Sequence, residues 1–213
     1  MDATVEVVET ENVGTDTVAV TISTPAEFAA EPGQFVRLAA TIDGEEYARF
    51  YTLSSPSVTD TFEVTVGIDP EESGPFSEFL ATLAPGTTLE MSGPFGDQYY
   101  EGEARAVVLA GGPGVGPAVA IAERALSAGN EAAVVYRYEG SPAHGTRLAR
   151  LRERGATVRV TDAPLDTPVA EVLSGAAGEQ LFVFGFDSFV DLAKQAVESA
   201  GGSFDGAKVE NFG

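Results

Sequence analysis

Through residues 1–103 the apolar positions alternate with polar ones in short runs. Thr4–Val8, Thr17–Ile22, Phe35–Ile42, Tyr47–Leu53, Thr61–Ile68 and Thr88–Met91 are rich in β-branched and aromatic residues. Gly14, Pro32-Gly33, Asp43-Gly44 and Pro85-Gly86 separate them. Side chains of a strand leave alternate faces, so such runs bury one face and wet the other; six of them between turn signals predict a small closed antiparallel barrel. One segment with a helical period, Pro75 to Leu83, interrupts them, with Ser73 placed to cap it and Pro75 at its first turn.

From Arg105 the pattern changes. Continuous apolar runs, Ala106–Ala110, Ala132–Tyr138, Thr157–Val160 and Leu181–Phe184, alternate with helix-period segments, Pro117–Ala128, Thr146–Arg154, Pro168–Leu173 and Ser188–Ala200. Strands buried on both faces and separated by helices predict a parallel sheet covered by helices. Gly129-Asn130, Gly155 and Gly201-Gly202 stand where those helices should stop. The chain therefore divides into a barrel over residues 1–103 and an α/β half over 104–213, joined near Glu101-Gly-Glu-Ala.

Charge sharpens this division. The chain carries 12 Lys and Arg against 33 Asp and Glu, a net of −21. Residues 1–103 hold two cations, Arg37 and Arg49, against 20 acids, and the remaining ten cations lie beyond. Binding to nucleic acid rests on cations that neutralise phosphates, so that partner is excluded, and docking on anionic lipid with it. Acids spread along the whole chain suit a protein adapted to molar salt; an ordinary acidic protein of the cytosol is the alternative. The absence of cysteine removes disulfides, thiolate metal sites and iron–sulfur clusters from this chain, and a single histidine, His144, leaves no multi-histidine metal centre. The acidic start lacks a signal-peptide pattern. The longest charge-free stretch, Ala106–Ala122, is too short and too glycine-broken to span a bilayer, so a soluble cytoplasmic protein is expected.

Three constellations carry chemistry. In Ala110-Gly-Gly-Pro-Gly-Val-Gly-Pro117 a buried strand runs into four glycines and then a helix. Glycines let backbone amides approach a pyrophosphate, and the helix end adds its dipole. In Arg49-Phe-Tyr-Thr-Leu-Ser-Ser55 a guanidinium and a phenol share one strand face, with Phe50, Thr52 and Ser54 on the other. That arrangement suits a phosphate beside a flat ring, and equally an arginine paired to a local carboxylate beside a core tyrosine. In Gly74-Pro-Phe-Ser-Glu-Phe-Leu80, Ser77 sits in the first turn of a short helix, as phosphate ligand or ordinary cap.

In this order the motifs resemble those of the ferredoxin–NADP⁺ reductase-like flavoenzymes. Arg49, Tyr51, Thr52 and Ser55 match the family's Arg-x-Tyr-Ser/Thr-x-x-Ser. Gly74, Ser77 and Leu80, then Pro85-Gly86 and Gly93-Pro-Phe-Gly96, match the second flavin motif. Gly111, Gly112, Gly114, Val115, Gly116 and Pro117 match the opening of the nicotinamide half, and Glu210-Asn-Phe212 matches its end. The resemblance implies FAD on the barrel and NAD(P)H on a Rossmann-like parallel sheet. It implies Tyr51 against one flavin face and Phe212 against the other, Arg49 and Ser77 at the pyrophosphate, and Phe50, Val66, Gly67, Ile68, Pro75 and Phe76 as further flavin contacts. Thr52 would face flavin N5, which requires a bulge at the barrel rim. Glu210 would support proton traffic, and Gly185-Phe186 would meet the nicotinamide. The implied activity is electron transfer from NAD(P)H through FAD to an iron–sulfur carrier such as ferredoxin; a flavin or quinone reductase and a non-autonomous electron-transfer subunit are the alternatives.

The sequence departs from the family at three places. Phe184-Gly185 replaces a Cys-Gly pair, Gly116 stands where a hydroxyl is common, and Asp69 is acidic where a cation is common. Nucleotide choice stays open: Glu139 favours a ribose hydroxyl, whereas Arg137, Arg147 and Arg150 flank that position and could take a 2′-phosphate. The run Arg147, Arg150, Arg152, Arg154 also reads as a solvated helix face, and His144 as a loop residue.

Overall fold

A computed structural model describes residues 1–68 and 74–213. Six antiparallel strands come first: β1 (Asp2–Gly14), β2 (Thr17–Ser23), β3 (Phe35–Ile42), β4 (Glu45–Thr52), β5 (Thr61–Gly67) and β6 (Thr88–Phe95). Their order is β4-β3-β6-β1-β2-β5. The two edges meet through a bridge between Leu53 and Val64, reinforced by the Ser54 amide donating to the Glu63 carbonyl at 2.7 Å. The sheet thereby closes into the expected barrel, around Val20, Ile22, Leu38, Leu53, Phe62 and Leu89.

Boundaries differ in ways that have physical reasons. β1 runs six residues past Val8, because Glu9–Asn12 pair with β2 as an exposed ribbon whose polar residues carry no burial pattern. α1 (Pro75–Ala81) has Gly74 at its cap position, with no side-chain cap; Ser73 lies outside the described residues, as does Asp69. β4 pairs with β3 in unbroken register up to Thr52, so the rim bulge expected there is absent. The break lies in the neighbouring β3–β6 pairing, between Phe35 and Arg37.

The remaining residues form a five-stranded parallel sheet in the order β11-β10-β7-β8-β9. Its strands are β7 (Arg105–Gly111), β8 (Glu131–Arg137), β9 (Thr157–Thr161), β10 (Glu179–Gly185) and β11 (Lys208–Asn211). The helices are α2 (Val115–Ser127), α3 (Gly145–Glu153), α4 (Asp166–Val172) and α5 (Asp187–Ser199). A 3₁₀ turn, Gly112–Gly114, precedes α2, so the helix begins two residues before Pro117, which its first turn tolerates. Chain direction reverses its sheet order between β7 and β10, the switch point where doubly wound sheets take ligands. Among the described residues no helix is long and apolar enough to cross a membrane.

The α2/α3 face of this sheet turns towards the barrel, and Val13 of β1 packs into its core. Contact between the two sheets is close and largely polar. Cβ on Gly116 would lie 2.3 Å from Ser54 Oγ and 2.4 Å from Thr65 Oγ1, and a Cβ on Gly14 would lie 2.9 Å from Ala143 Cβ. Thr65 Oγ1 hydrogen-bonds Ser54 Oγ at 2.6 Å and His144 Nε2 at 2.9 Å, all three residues being buried. His144 does more than occupy a loop. It takes the cap position of α3 in the left-handed region, φ 52°, and its amide donates to the Val13 carbonyl at 2.8 Å. Burial, with Arg147 nearby, lowers its pKa to about 3, so it is a neutral hydrogen-bonding partner. Gly116→Ala forces Cβ into these hydroxyls and should lower stability by about 1–3 kcal/mol. Urea unfolding is the check; an unchanged midpoint would show that the seam is looser than described.

Candidate functional site

The switch point gathers the loops. Gly111 ends β7 and Gly185 ends β10, on neighbouring strands paired up to the residues just before them, and a Cβ on either would run into the Phe189 ring of α5, at 2.4 and 2.6 Å. A Cβ on Gly114 would lie 2.2 Å from the Phe184 carbonyl oxygen, and Gly112 holds φ 52°. Gly111, Gly114 and Gly185 are thus required by packing and Gly112 by its backbone, and Gly112 remains exposed to solvent. Val115 and Pro117 are buried in the first turn of α2, and Gly116 faces the barrel. The hydroxyl missing at position 116 has its space filled by Ser54 and Thr65.

β11 was not legible as a strand, yet it brings the chain end to this edge. Gly185 pairs with Asn211, the Phe212 amide donates to the Gly185 carbonyl at 3.0 Å, and Asn211 Nδ2 hydrogen-bonds Asp187. Phe186 and Phe212 meet edge to face with centroids 5.9 Å apart, Phe186 being exposed. Phe212 packs with the barrel-facing core and Val209 with the opposite one, so strand alternation puts Glu210 on the Phe212 side. Burial raises the Glu210 carboxyl above its ordinary range. Phe184, in the place of the family cysteine, is fully buried in the same core.

On the barrel, Ser77 lies close enough to the Tyr51 phenol to lower its pKa, so two motifs 26 residues apart converge. Burial pushes that phenol up to about 12, against the pull of Ser77 and Arg49. The Tyr51 ring lies 6.2 Å from Phe76, which is buried in the barrel core together with Val66. Arg49 is exposed; its one hydrogen bond runs to the Ala48 carbonyl at 2.8 Å, and among the described residues no carboxylate pairs with it. Thr52 is buried at the last rung of β4, and without a bulge the alternation that separates it from Tyr51 stands. Ser55 is used in closing the barrel, its hydroxyl accepting from the Glu63 amide at 2.8 Å. Phe50 is 62% exposed and joins Phe35 and Phe95 in an aromatic cluster, with centroids 5.5 to 6.2 Å apart. The Ile68 amide is bonded to the Asp16 carbonyl, and exposed Pro75 follows Gly74, whose surroundings are open.

The two sets of residues meet at one point. A Cβ on Gly67, at the end of β5, would lie 3.7 Å from Pro113 Cγ in the glycine loop. Residues 4–100 match the family model of the oxidoreductase FAD-binding domain. That match covers the barrel half, which is therefore similar to the FAD-binding domains of oxidoreductases. The chain is similar, at 39% identity over 94 residues, to the probable electron transfer subunit of dihydroorotate dehydrogenase B (NAD(+)) of Methanopyrus kandleri, covering 44% of this chain and 33% of that one. It is 42% identical over 98 residues to the glycine betaine monooxygenase reductase subunit of Chromohalobacter salexigens, covering 44% and 26%. Among solved structures, the ferredoxin–NADP⁺ reductase of Plasmodium falciparum superposes with a TM-score of 0.82 over 99% of this chain and 96% of that one, at 13% identity, a likeness of fold. The chain spans about a third or less of the length of the curated relatives it matches first.

FAD is the cofactor of the matched domain, and the described residues fit it: a guanidinium with no carboxylate partner among them, next in the strand but one to the Tyr51 phenol, with open space at Gly74. A charge-assisted bond to phosphate contributes about 1.5–3 kcal/mol. Arg49→Ala should therefore weaken FAD binding roughly tenfold to a hundredfold while leaving the unfolding midpoint of the flavin-free protein in place. Flavin content after gel filtration reads the first and urea unfolding the second; full flavin retention would remove Arg49 from the pyrophosphate.

Proposed function

We propose that residues 1–103 hold FAD, that residues 104–213 hold a nicotinamide nucleotide, and that the chain is the reductase unit that oxidises the nucleotide and passes electrons to a separate acceptor. The contact of Gly67 with Pro113 carries this reading, because it makes the end of a flavin-binding strand and the nucleotide loop neighbours. Bound FAD would supply the carrier that accepts an electron pair and can release it one electron at a time. The chain's own residues supply binding and shielding. Arg49 neutralises pyrophosphate charge, Tyr51 offers a ring with Ser77 near its phenol, and the loop Gly111–Gly114 lets a second pyrophosphate approach the backbone. Phe186 and Phe212 cover the carboxyl edge of β10 and exclude water from it. The Glu210 carboxyl, its proton affinity raised by burial, stands on the Phe212 side, where it would exchange a proton. Two relatives named as an electron transfer subunit and a reductase subunit support a protein acceptor, with an iron–sulfur carrier such as ferredoxin as its class.

The nucleotide that fits best lacks a 2′-phosphate. Arg147 is engaged elsewhere, by Glu63 and Glu123. Arg137 stands 4.0 Å from Glu139 and shares a cleft of about 200 Å³ with Asp162 and Asp166, at the carboxyl ends of β8 and β9. Carboxylates there accept ribose hydroxyls and repel phosphate. Of the three arginines weighed for a 2′-phosphate, this leaves Arg150, on the exposed side of α3.

Anaerobic titration of the FAD-loaded protein tests both statements. NADH should bleach the flavin near stoichiometry, and NADPH should need at least about ten times more, the equivalent of about 1.4 kcal/mol. Holoprotein left yellow by both nucleotides overturns the function, and preference for NADPH overturns the nucleotide assignment. Turnover with quinone or free flavin but with no ferredoxin would move the protein to the flavin or quinone reductases.

A further inference from the structure

α3 belongs to the nucleotide half, yet one of its side chains holds the barrel. Arg147 Nη1 donates to Glu63 Oε1 at 2.9 Å and Nη2 to the Ser54 carbonyl at 2.7 Å. Nε and Nη2 meet the two oxygens of Glu123 at 2.9 and 2.7 Å, a bidentate fork. Four bonds from one planar group fix three elements at once. Each of the three leads to the site. Ser54 lies two residues beyond Thr52 and three beyond Tyr51. Glu63 lies on β5, four residues before Gly67, which meets Pro113. Glu123 lies on α2, the helix that the glycine loop opens, seven residues after Gly116 and so on the same helical face. The side chains of all three charged residues are largely sheltered, with 14–25% exposure, so solvent screens their interaction weakly. Without the cation, two carboxylates from opposite halves would face one another across the seam.

We infer that Arg147 is a positioning residue for electron transfer between the two ligands: by clamping Ser54, Glu63 and Glu123 it sets the gap between the barrel strand carrying Tyr51 and the nucleotide loop Gly111–Gly114. The inference rests on the function proposed above. Transfer between bound partners is steep in distance and angle, and a displacement of about 1 Å can cost a hundredfold in rate. Binding of each ligand depends on its own half and is far less sensitive to the gap. A lysine at this position keeps the charge but loses the planar fork, so it holds one or two of the three elements.

The test is anaerobic stopped-flow reduction of FAD-loaded wild type, Arg147→Lys, Glu63→Gln and Glu123→Gln by NADH. Limiting rate, apparent Kd for NADH, FAD stoichiometry and unfolding midpoint are read for each. The limiting rate of Arg147→Lys should fall at least about tenfold, with FAD content kept and Kd changed less than about threefold. The two glutamine variants keep the cation and weaken one arm each by removing its charge, so they should show a smaller fall of the same kind even if Arg147→Lys does not fold. A variant with a lowered midpoint but the wild-type limiting rate marks a purely structural role; that result, or unchanged limiting rates in both glutamine variants, overturns the inference. Wild type that NADH leaves oxidised overturns the functional reading and the inference with it, whereas reactive wild type beside an equally fast Arg147→Lys overturns the inference alone.

Discussion

Two sheets that are to hold two ligands in reach of one another work together only if the gap between them is fixed, and here the gap is fixed by polar contacts. Ser54, Thr65 and His144 form a buried chain of hydrogen bonds over the bare Cα of Gly116, and Arg147 extends it to Glu63 and Glu123. A buried ion pair is a poor source of stability, because desolvation consumes much of its Coulomb gain. Its bonds are directional, and a half-satisfied network is costly, so slippage of one sheet against the other is resisted at every step. Gly67 against Pro113 and Gly14 against Ala143 add close packing on either side.

The same seam explains why the sequence reveals some parts and conceals others. The glycine loop, the barrel runs and the buried strands β7, β8 and β10 are legible because each is governed by a local rule: backbone approach, alternation, or burial on both faces. β11 hides because Lys208-Val-Glu-Asn211 carries a single apolar residue at a sheet edge. Arg147 hides in a run of arginines, and His144 in a loop, since only the folded chain brings Glu63 and Thr65, 84 and 79 residues earlier, beside them. A trace was present in the chain. Gly116 exceeds what the loop itself demands, and its spacing to Glu123 marks one face of α2 as a contact surface.

The electrostatic division has a counterpart in space. Arg49 stands among 20 acidic residues of the first half without a carboxylate partner among the described residues, whereas Arg37, the other cation there, is held 3.5 Å from Glu46. On the face of β4 opposite Arg49, Phe50 joins Phe35 and Phe95 in an aromatic surface, so it is Tyr51 that shares the face of the Arg49 charge.

The constancy of the gap is the claim on which site and function both stand. Because the chain has no cysteine, spin labels can be placed singly, one on the barrel at Glu90→Cys and one on α4 at Glu171→Cys, both exposed positions. Double electron–electron resonance on the FAD-loaded protein should give one narrow distance that stays in place when NAD⁺ is added. A broad or two-peaked distribution would mean that the halves move against each other, and the account of a fixed seam would be wrong.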